Sequence, residues 1–371
     1  TSLHLLLDVG SEGAFAGYAQ GSGTNTITMI YTISEDHNSH DLNYLGVNSI
    51  ESNGSFIRDD AGNESLLVLP DPNSFESLSG SSNLIVDTAE PYTLFGMESY
   101  FYNEDSWGLD GKIYGQSVDS TSGTELVQVR IQRKSDDKYY NGSNWTTSDT
   151  WNTAIGTSEW SYSFSSDILQ NSVAYLINAR SIDVAGNVES VTVLDSLRYD
   201  TEPPTSSVIM DSDFYSLSTW VRDSSVAGFA QDTVSGLALV ELQIFYPQDT
   251  LWWGGEEWVD ELVWVNADGL SSWFYGLDSE ELVDGSSYQI YSRTEDQAGN
   301  VQADSGFGSF IYDISGPSVG FVLDGLDSVD TDWTNSVANV SANWSGFFDQ
   351  TLGIAEYEIA FGSNVGNDNI I

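Results

Sequence analysis

Hydrophobic and polar residues alternate with a period of two along several stretches of this chain. Val127, Val129 and Ile131 fall on one side, with Gln128, Arg130 and Gln132 on the other. Val240, Leu242 and Ile244 are set against Glu241, Gln243 and Phe245 in the same way. Tyr175, Ile177 and Ala179 form a similar set, as do Ile27, Met29 and Tyr31. Successive side chains of a strand point to opposite faces, so this pattern predicts half-buried strands of antiparallel sheets. Turn-forming clusters separate the strands. Asn141-Gly142 predicts a tight hairpin, because both residues tolerate positive φ. No stretch keeps a helical apolar period long enough for an ordinary helix. The expected fold class is all-β.

The same pattern occurs twice at a fixed spacing. Trp107, Trp145, Trp151 and Trp160 recur without gaps at Trp220, Trp258, Trp264 and Trp273, each offset by the same interval (107 to 220). That interval also carries Gly115 to Gly228, Asp119 to Asp232, Gly123 to Gly236, Tyr175 to Tyr288 and Arg180 to Arg293. Asp183-Val-Ala-Gly-Asn187 becomes Asp296-Gln-Ala-Gly-Asn300, and the joint at Asp87 recurs at Asp200 and Asp313. After Pro317 a further copy begins: Trp333 continues the register, and Gly353 parallels Gly236 after a short insertion. Upstream, Asp59-Asp-Ala-Gly-Asn63 repeats the turn signature. There the turn stands farther before its joint (63 to 87) than in the copied module (187 to 200). The expected organisation is 1–90, 91–203, 204–316 and 317–371, two whole modules between two partial ones. The chain is thus expected to be an excerpt of a longer tandem array, which accounts for the lack of a signal peptide at its start. Seven or so short strands per module, with a tyrosine opening a late strand, describe an immunoglobulin-like sandwich.

Composition narrows the function. The 371 residues hold 10 Lys+Arg against 56 Asp+Glu, a formal charge of −46, with no cysteine. The apolar fraction of 40%, with 12 Trp, 19 Tyr and 16 Phe, is enough to build real cores, which argues against disorder. Absence of Cys excludes disulfides, cysteinyl zinc sites and thiol catalysis. So few cations exclude nucleic acid as a partner and disfavour an anionic membrane. No apolar run reaches the ~18 residues of a membrane-spanning helix. A surface of this charge attracts cations and stays soluble in salty water, which points to an extracellular setting.

With these motifs in place, a resemblance emerges. Tyr175–Asn187 and Tyr288–Asn300 resemble the late strand and hairpin of bacterial Ig-like repeats in giant secreted adhesins and surface proteins. Residues 22–91 resemble another variant of these repeats, through Asp41-Leu-Asn-Tyr44, the Asp-Ala-Gly-Asn turn and Val86-Asp-Thr. In that variant the opening residues fall inside the module, so the first piece is expected to be truncated at its N-terminus. Residues 343–360 resemble the opening half of fibronectin-type-III-like repeats. The family implies secretion, elongated stalks and often adhesion.

Catalysis finds little support. His4, His37 and His40 all lie in the first piece and have no counterparts in the copies, so no His-dependent triad is expected in the repeats. Glu256-Glu257, Asp260-Glu261 and Glu280-Glu281 invite a glycosidase reading, yet Ser143-Asn144 stands in place of the first pair in the preceding copy. A solvated acidic surface is the expected role. Calcium fits the chain better, since hard cations take six to eight oxygens. The candidate ligands are the joint acids Asp87, Asp200 and Asp313 with the turn acids Asp183 and Asp296. A turn-shaping role without metal is the alternative: Asp accepts N–H bonds, Gly supplies positive φ and Asn tolerates the left-handed region. Trp252 and Trp253, replacing Tyr139 and Tyr140 at a hairpin, are the candidate contacts for a glycan or partner. The other tryptophans keep a fixed register that suits packing.

The expected function is non-enzymatic: a structural stalk or spacer of a large secreted surface adhesin or extracellular filament at the cell surface. Lateral association with copies of itself, or contact with other cell-surface proteins and glycans, is expected through repeated patches and strand edges. The alternative is a carbohydrate-binding or accessory array of an extracellular carbohydrate-active protein.

Overall fold

The computed structural model describes residues 2–10, 14–108, 111–190, 193–223, 225–326, 335, 338–339 and 341–358. Two compact units result, Thr1–Thr201 and Glu202–Ile371.

In the first unit, strands Thr28–Tyr31, Phe15–Gln20, His4–Asp8 and Asn43–Tyr44 lie side by side, and Ile50–Glu51 also pairs with His4–Asp8. Leu7, Val9, Ala14, Ala16, Leu42 and Val86 form a small core beneath them. Met29 and Tyr31 pack against that core, whereas Ile27 is 40% exposed because it precedes the paired part of its strand.

The second piece of this unit is a sandwich. Its larger sheet runs Trp145–Thr146, Lys138–Tyr140, Thr124–Arg133, Ala174–Asp183, Val193–Tyr199 and Phe101–Tyr102, with Asn152–Thr153 paired to Thr124–Arg133. The smaller sheet runs Ile155–Gly156, Glu159–Ser163, Lys112–Val118 and Tyr92–Phe95. The period-two pattern is realised directly. Val127, Val129 and Ile131 are fully buried and share one core with Tyr175, Ile177 and Ala179. Register pairs Ile177 with Ile131 and Ala179 with Val129, so the inward residues of both long strands come level.

The second unit repeats this sandwich. Gly306–Tyr312, Ser286–Asp296 and Leu237–Tyr246 form the centre of a seven-stranded sheet, over a four-stranded sheet containing Thr205–Ile209, Ser225–Gln231 and Ser272–Gly276. Beyond it, strands Phe321–Asp324 and Ala342–Ser345 pair antiparallel, while Trp333 lies outside the described residues. Among the described residues the longest helix, Leu217–Asp223, has seven residues.

The repeated tryptophans are structural. Trp107 Nε1 donates to the Phe164 carbonyl at 2.7 Å, and Trp220 Nε1 donates to the Leu277 carbonyl at 2.9 Å. Trp160 and Trp273 are 3% and 1% exposed and lie against Gly115 and Gly228, where any side chain would overlap the indole. Trp151 is stacked by Arg130 and Arg180, and Trp264 by Arg293. Polar residues on the outer sheet face thus cover these rings through their guanidinium planes.

Candidate metal centre at the module joint

The candidate centre is assembled from three segments of the first unit. Asp87 comes from the segment that follows Val86. Asn38 holds that segment in place: its Oδ1 accepts from the Thr88 N–H at 2.8 Å and from the Ala89 N–H at 3.2 Å. Asp119 stands in the turn between strands Lys112–Val118 and Thr124–Arg133. Asp183 ends strand Ala174–Asp183 and is fully buried. One carboxylate oxygen from each of the three lies within 4.8 Å of the others.

Each carboxylate is fixed by hydrogen-bond donors. Asp119 Oδ1 accepts from the N–H groups of Thr121, Ser122 and Gly123 at 3.1, 2.9 and 2.6 Å. Asp87 Oδ1 accepts from Ala89 N–H at 3.0 Å, and its Oδ2 accepts from Ser122 N–H at 3.0 Å. The Asp87 and Asp119 carboxylates are therefore joined through one shared amide. Asp183 Oδ1 accepts from Asn187 N–H and Oδ2 from Asn187 Nδ2, both at 2.8 Å. Asn187 Nδ2 also donates to the Asp87 carbonyl at 3.2 Å, which ties the turn to the joint.

The D-x-A-G-N turn departs from its expected mechanics in one respect. Glycine does take positive φ, at 89° for Gly62, 96° for Gly186 and 92° for Gly299. The asparagine does not enter the left-handed region. Its side-chain amide instead donates to the Asp Oδ2 at 2.8 Å in all three turns. Asparagine serves here as a donor, so the turn is a side-chain-locked loop. The Asn141-Gly142 hairpin departs likewise: Gly142 has φ 89°, and Asn141 accepts from the Ser143 and Asn144 N–H groups. A pair with both φ values positive occurs at Asn53-Gly54.

Like charges packed this closely repel; the N–H donors offset part of that repulsion, and a bound cation would offset more. The described ion pairs engage Asp136, Asp137, Asp149 and Glu241, and none of the three joint carboxylates. The donor set is all oxygen, from three carboxylates, which suits calcium better than a transition metal. Asp87, Asp119 and Asp183 are the residues that would hold the ion.

The second unit rebuilds the same parts. Asp232 Oδ1 accepts from Val234, Ser235 and Gly236 N–H at 2.9, 2.9 and 2.7 Å, and Asp296 accepts from Ala298 and Asn300 N–H at 2.9 Å each. Oxygens of Asp232 and Asp296 lie within 4.8 Å of each other. Asp200 is fully buried at the end of the first unit, its N–H donating to the Tyr102 carbonyl. In the last piece Asp349 Oδ1 again accepts from three N–H groups, those of Thr351, Leu352 and Gly353. Burial raises the carboxyl of Asp313 above its ordinary pKa, and the charges of Asp349 and Asp284 raise it further. The sequence expectations name Asp87, Asp183, Asp200, Asp296 and Asp313 and omit Asp119, Asp232 and Asp349. The signal for these three is the D-x-x-x-G spacing, present at Asp119–Gly123, Asp232–Gly236 and Asp349–Gly353.

The aromatic pair is divided. Trp253 is 5% exposed and its Nε1 donates to the Tyr275 hydroxyl at 2.8 Å, so it belongs to the core and presents no face to a ligand. Adjacent strand residues face opposite ways. Trp252 accordingly lies on the outer side, half-buried and stacked on Phe245 at 4.4 Å between ring centroids. Glu256, Glu257, Asp260, Glu261 and Glu280 are exposed.

These sheets and cores define a class: tandem immunoglobulin-like, fibronectin-III-like β-sandwich modules. No protein-family model matches the chain, and no curated protein matches it. Among solved structures it is similar to the fibronectin(III)-like modules of Clostridium thermocellum CbhA, at 12% identity and TM-score 0.31, covering 60% of this chain and 93% of that one. It is similar to a 1.5-MDa bacterial ice-binding adhesin at 15% identity and TM-score 0.32, covering 85% and 87%. A third is a Ca2+-stabilized adhesin that helps an Antarctic bacterium reach out and bind ice, at 17% identity and TM-score 0.29, covering 87% and 68%.

Proposed function

We propose that this chain is a stalk or spacer segment of a large secreted surface adhesin or extracellular filament, without enzymatic activity, and that calcium binds at its module joints. The observation that carries this reading is the Asp87–Asp119–Asp183 cluster, which ties a linker acid to two turns of the following sandwich. An ion held there removes freedom from the linker and offsets mutual repulsion in a chain of −46. Serial sandwiches, each with its own core, then transmit force or span distance while leaving recognition to other parts of a larger protein.

Dialysis against a chelator, followed by calcium titration, tests the reading. Melting temperature should rise with calcium and fall with chelator, and small-angle scattering should show the maximum dimension holding steadier with calcium bound. Unchanged melting temperature and dimension would remove the structural role of the ion.

A further inference from the structure

Cations are scarce in this chain and they are not spread evenly. Seven of the ten Lys and Arg residues lie within 91–203. Five of these lie on its larger sheet: Arg130 and Arg180 stack on Trp151, while Arg133, Lys134 and Lys138 stand at the hairpin joining strands Thr124–Arg133 and Lys138–Tyr140. Three carboxylates answer them. Arg130 pairs with Asp149 at 2.9 Å, Lys134 with Asp137 at 2.8 Å, and both Arg133 and Lys138 with Asp136. Arg180 stacks on Trp151 at 4.2 Å and donates through Nε to Gln128. The patch therefore keeps a positive excess within an otherwise acidic molecule.

The copy in 204–316 has the opposite character at the same place in the fold. In the register that carries Trp107 to Trp220, Gln243, Tyr246, Pro247 and Leu251 replace Arg130, Arg133, Lys134 and Lys138. The adjoining loop, where 91–203 has Ser143-Asn144 and Thr147-Ser148, carries Glu256-Glu257 and Asp260-Glu261 instead. All four acids are exposed, and none takes part in an ion pair among the described residues.

We infer that the cationic patch around Arg130, Lys134 and Lys138 of one copy docks on the Glu256–Glu261 loop of a second copy of this chain. The inference rests on the proposed stalk and names the surface by which stalks associate side by side. Charge complementarity selects the occupant: a second copy offers a dense exposed acidic loop, which on its 204–316 module adjoins the positions equivalent to the patch. Overall repulsion between two chains of −46 opposes contact at low ionic strength. At roughly 0.15 M salt the Debye length falls to about 8 Å, so distant charges drop out while apposed ones still attract. Association therefore passes through a maximum at intermediate salt and disappears at high salt. Exposed pairs are individually weak, so the contact depends on several of them forming together.

Sedimentation of the full chain in chelator, across a salt series, tests this contact apart from any calcium bridge. The wild type should associate most strongly at intermediate salt. Lys134→Glu with Lys138→Glu should weaken association by about tenfold or more, as should Glu256→Lys with Glu257→Lys. Mixing the two variants should restore it, since each then supplies the charge the other has lost. All four positions lie outside the cores, and unchanged melting temperatures will show the variants folded; Asp260→Lys with Glu261→Lys substitutes for the Glu256 and Glu257 pair if that variant is not. A wild type that stays monomeric throughout, or a mixture no stronger than either variant alone, overturns the contact. The stalk itself is judged separately by the calcium experiment.

Discussion

The phenolic oxygen of Tyr175 accepts a hydrogen bond from the backbone N–H of Gln170 at 2.8 Å, closing the loop that leads into strand Ala174–Asp183. Tyr288 and Val283 repeat the bond at 2.7 Å in the second unit. Both rings are fully buried, so the hydroxyl has traded water for one backbone donor. Replacing Tyr175 by Phe leaves the Gln170 N–H without this acceptor. The expected cost is about 1–2 kcal/mol in the first unit, read by chemical denaturation, with the second unit unaffected. The matching Tyr288→Phe change should reverse the pattern.

The same tyrosines predict how stability responds to alkali. Burial pushes the hydroxyls of Tyr162, Tyr175 and Tyr288 up to about 12 from the ordinary 10.0. A raised folded-state pKa means the stabilising neutral form is fully present below the unfolded value and is lost as pH rises towards the folded one. Stability should hold below pH ~10 and then fall by about 1.4 kcal/mol per pH unit for each such tyrosine in a unit, up to pH ~12. Denaturation midpoints measured across this window, with phenolate absorbance recorded in parallel, will show whether ionisation accompanies unfolding. Tyr175→Phe should flatten the slope for the first unit.

Calcium dependence should weaken when one charge at the joint is removed. Asp119→Asn keeps the oxygen that accepts from Thr121, Ser122 and Gly123 and deletes the carboxylate charge. The stabilisation of the first unit by calcium, about 2.7 kcal/mol at a hundred times the dissociation constant, should shrink by more than half. In chelator the variant should lose much less, because repulsion with Asp87 and Asp183 is relieved at the same time. Calorimetric titration of wild type and variant provides the check.

Close packing of glycine beneath tryptophan gives a further expectation. A Cβ at Gly115 would stand 2.7 Å from Trp160 Cζ2 and overlap the Leu94 carbonyl. Gly228 meets Trp273 and the Ser207 carbonyl in the same way. Alanine at either position should cost about 1–3 kcal/mol or more, because backbone on one side and a buried indole on the other leave no room to yield. Thermal denaturation of Gly228→Ala should show the loss in the second unit alone.

How much of this is legible in the sequence depends on the length scale of the cause. Alternation of Val127, Val129 and Ile131 with polar neighbours determines strand type and inward face, because side-chain direction in a strand is a local property. The constant interval from Trp107 to Trp220 and from Trp160 to Trp273 determines that one fold is built twice, since equal residues at equal spacing pack equally. Local chemistry also marks Asp183 and Asp296 as turn acids. Tertiary structure alone decides what they meet. Asp87, Asp119 and Asp183 are far apart along the chain, and only strand pairing together with the Asn38, Ser122 and Asn187 bonds to the 87–89 segment brings the three carboxylates within 4.8 Å. Asn187 reads in the sequence as a residue tolerant of an unusual φ, whereas its amide is a lock on Asp183, a distinction that backbone preference cannot express. Trp252 and Trp253 look alike in sequence. The phase of their strand against the two sheets turns one outward and the other into the core, and that phase is set by register with Leu237–Tyr246 rather than by either residue.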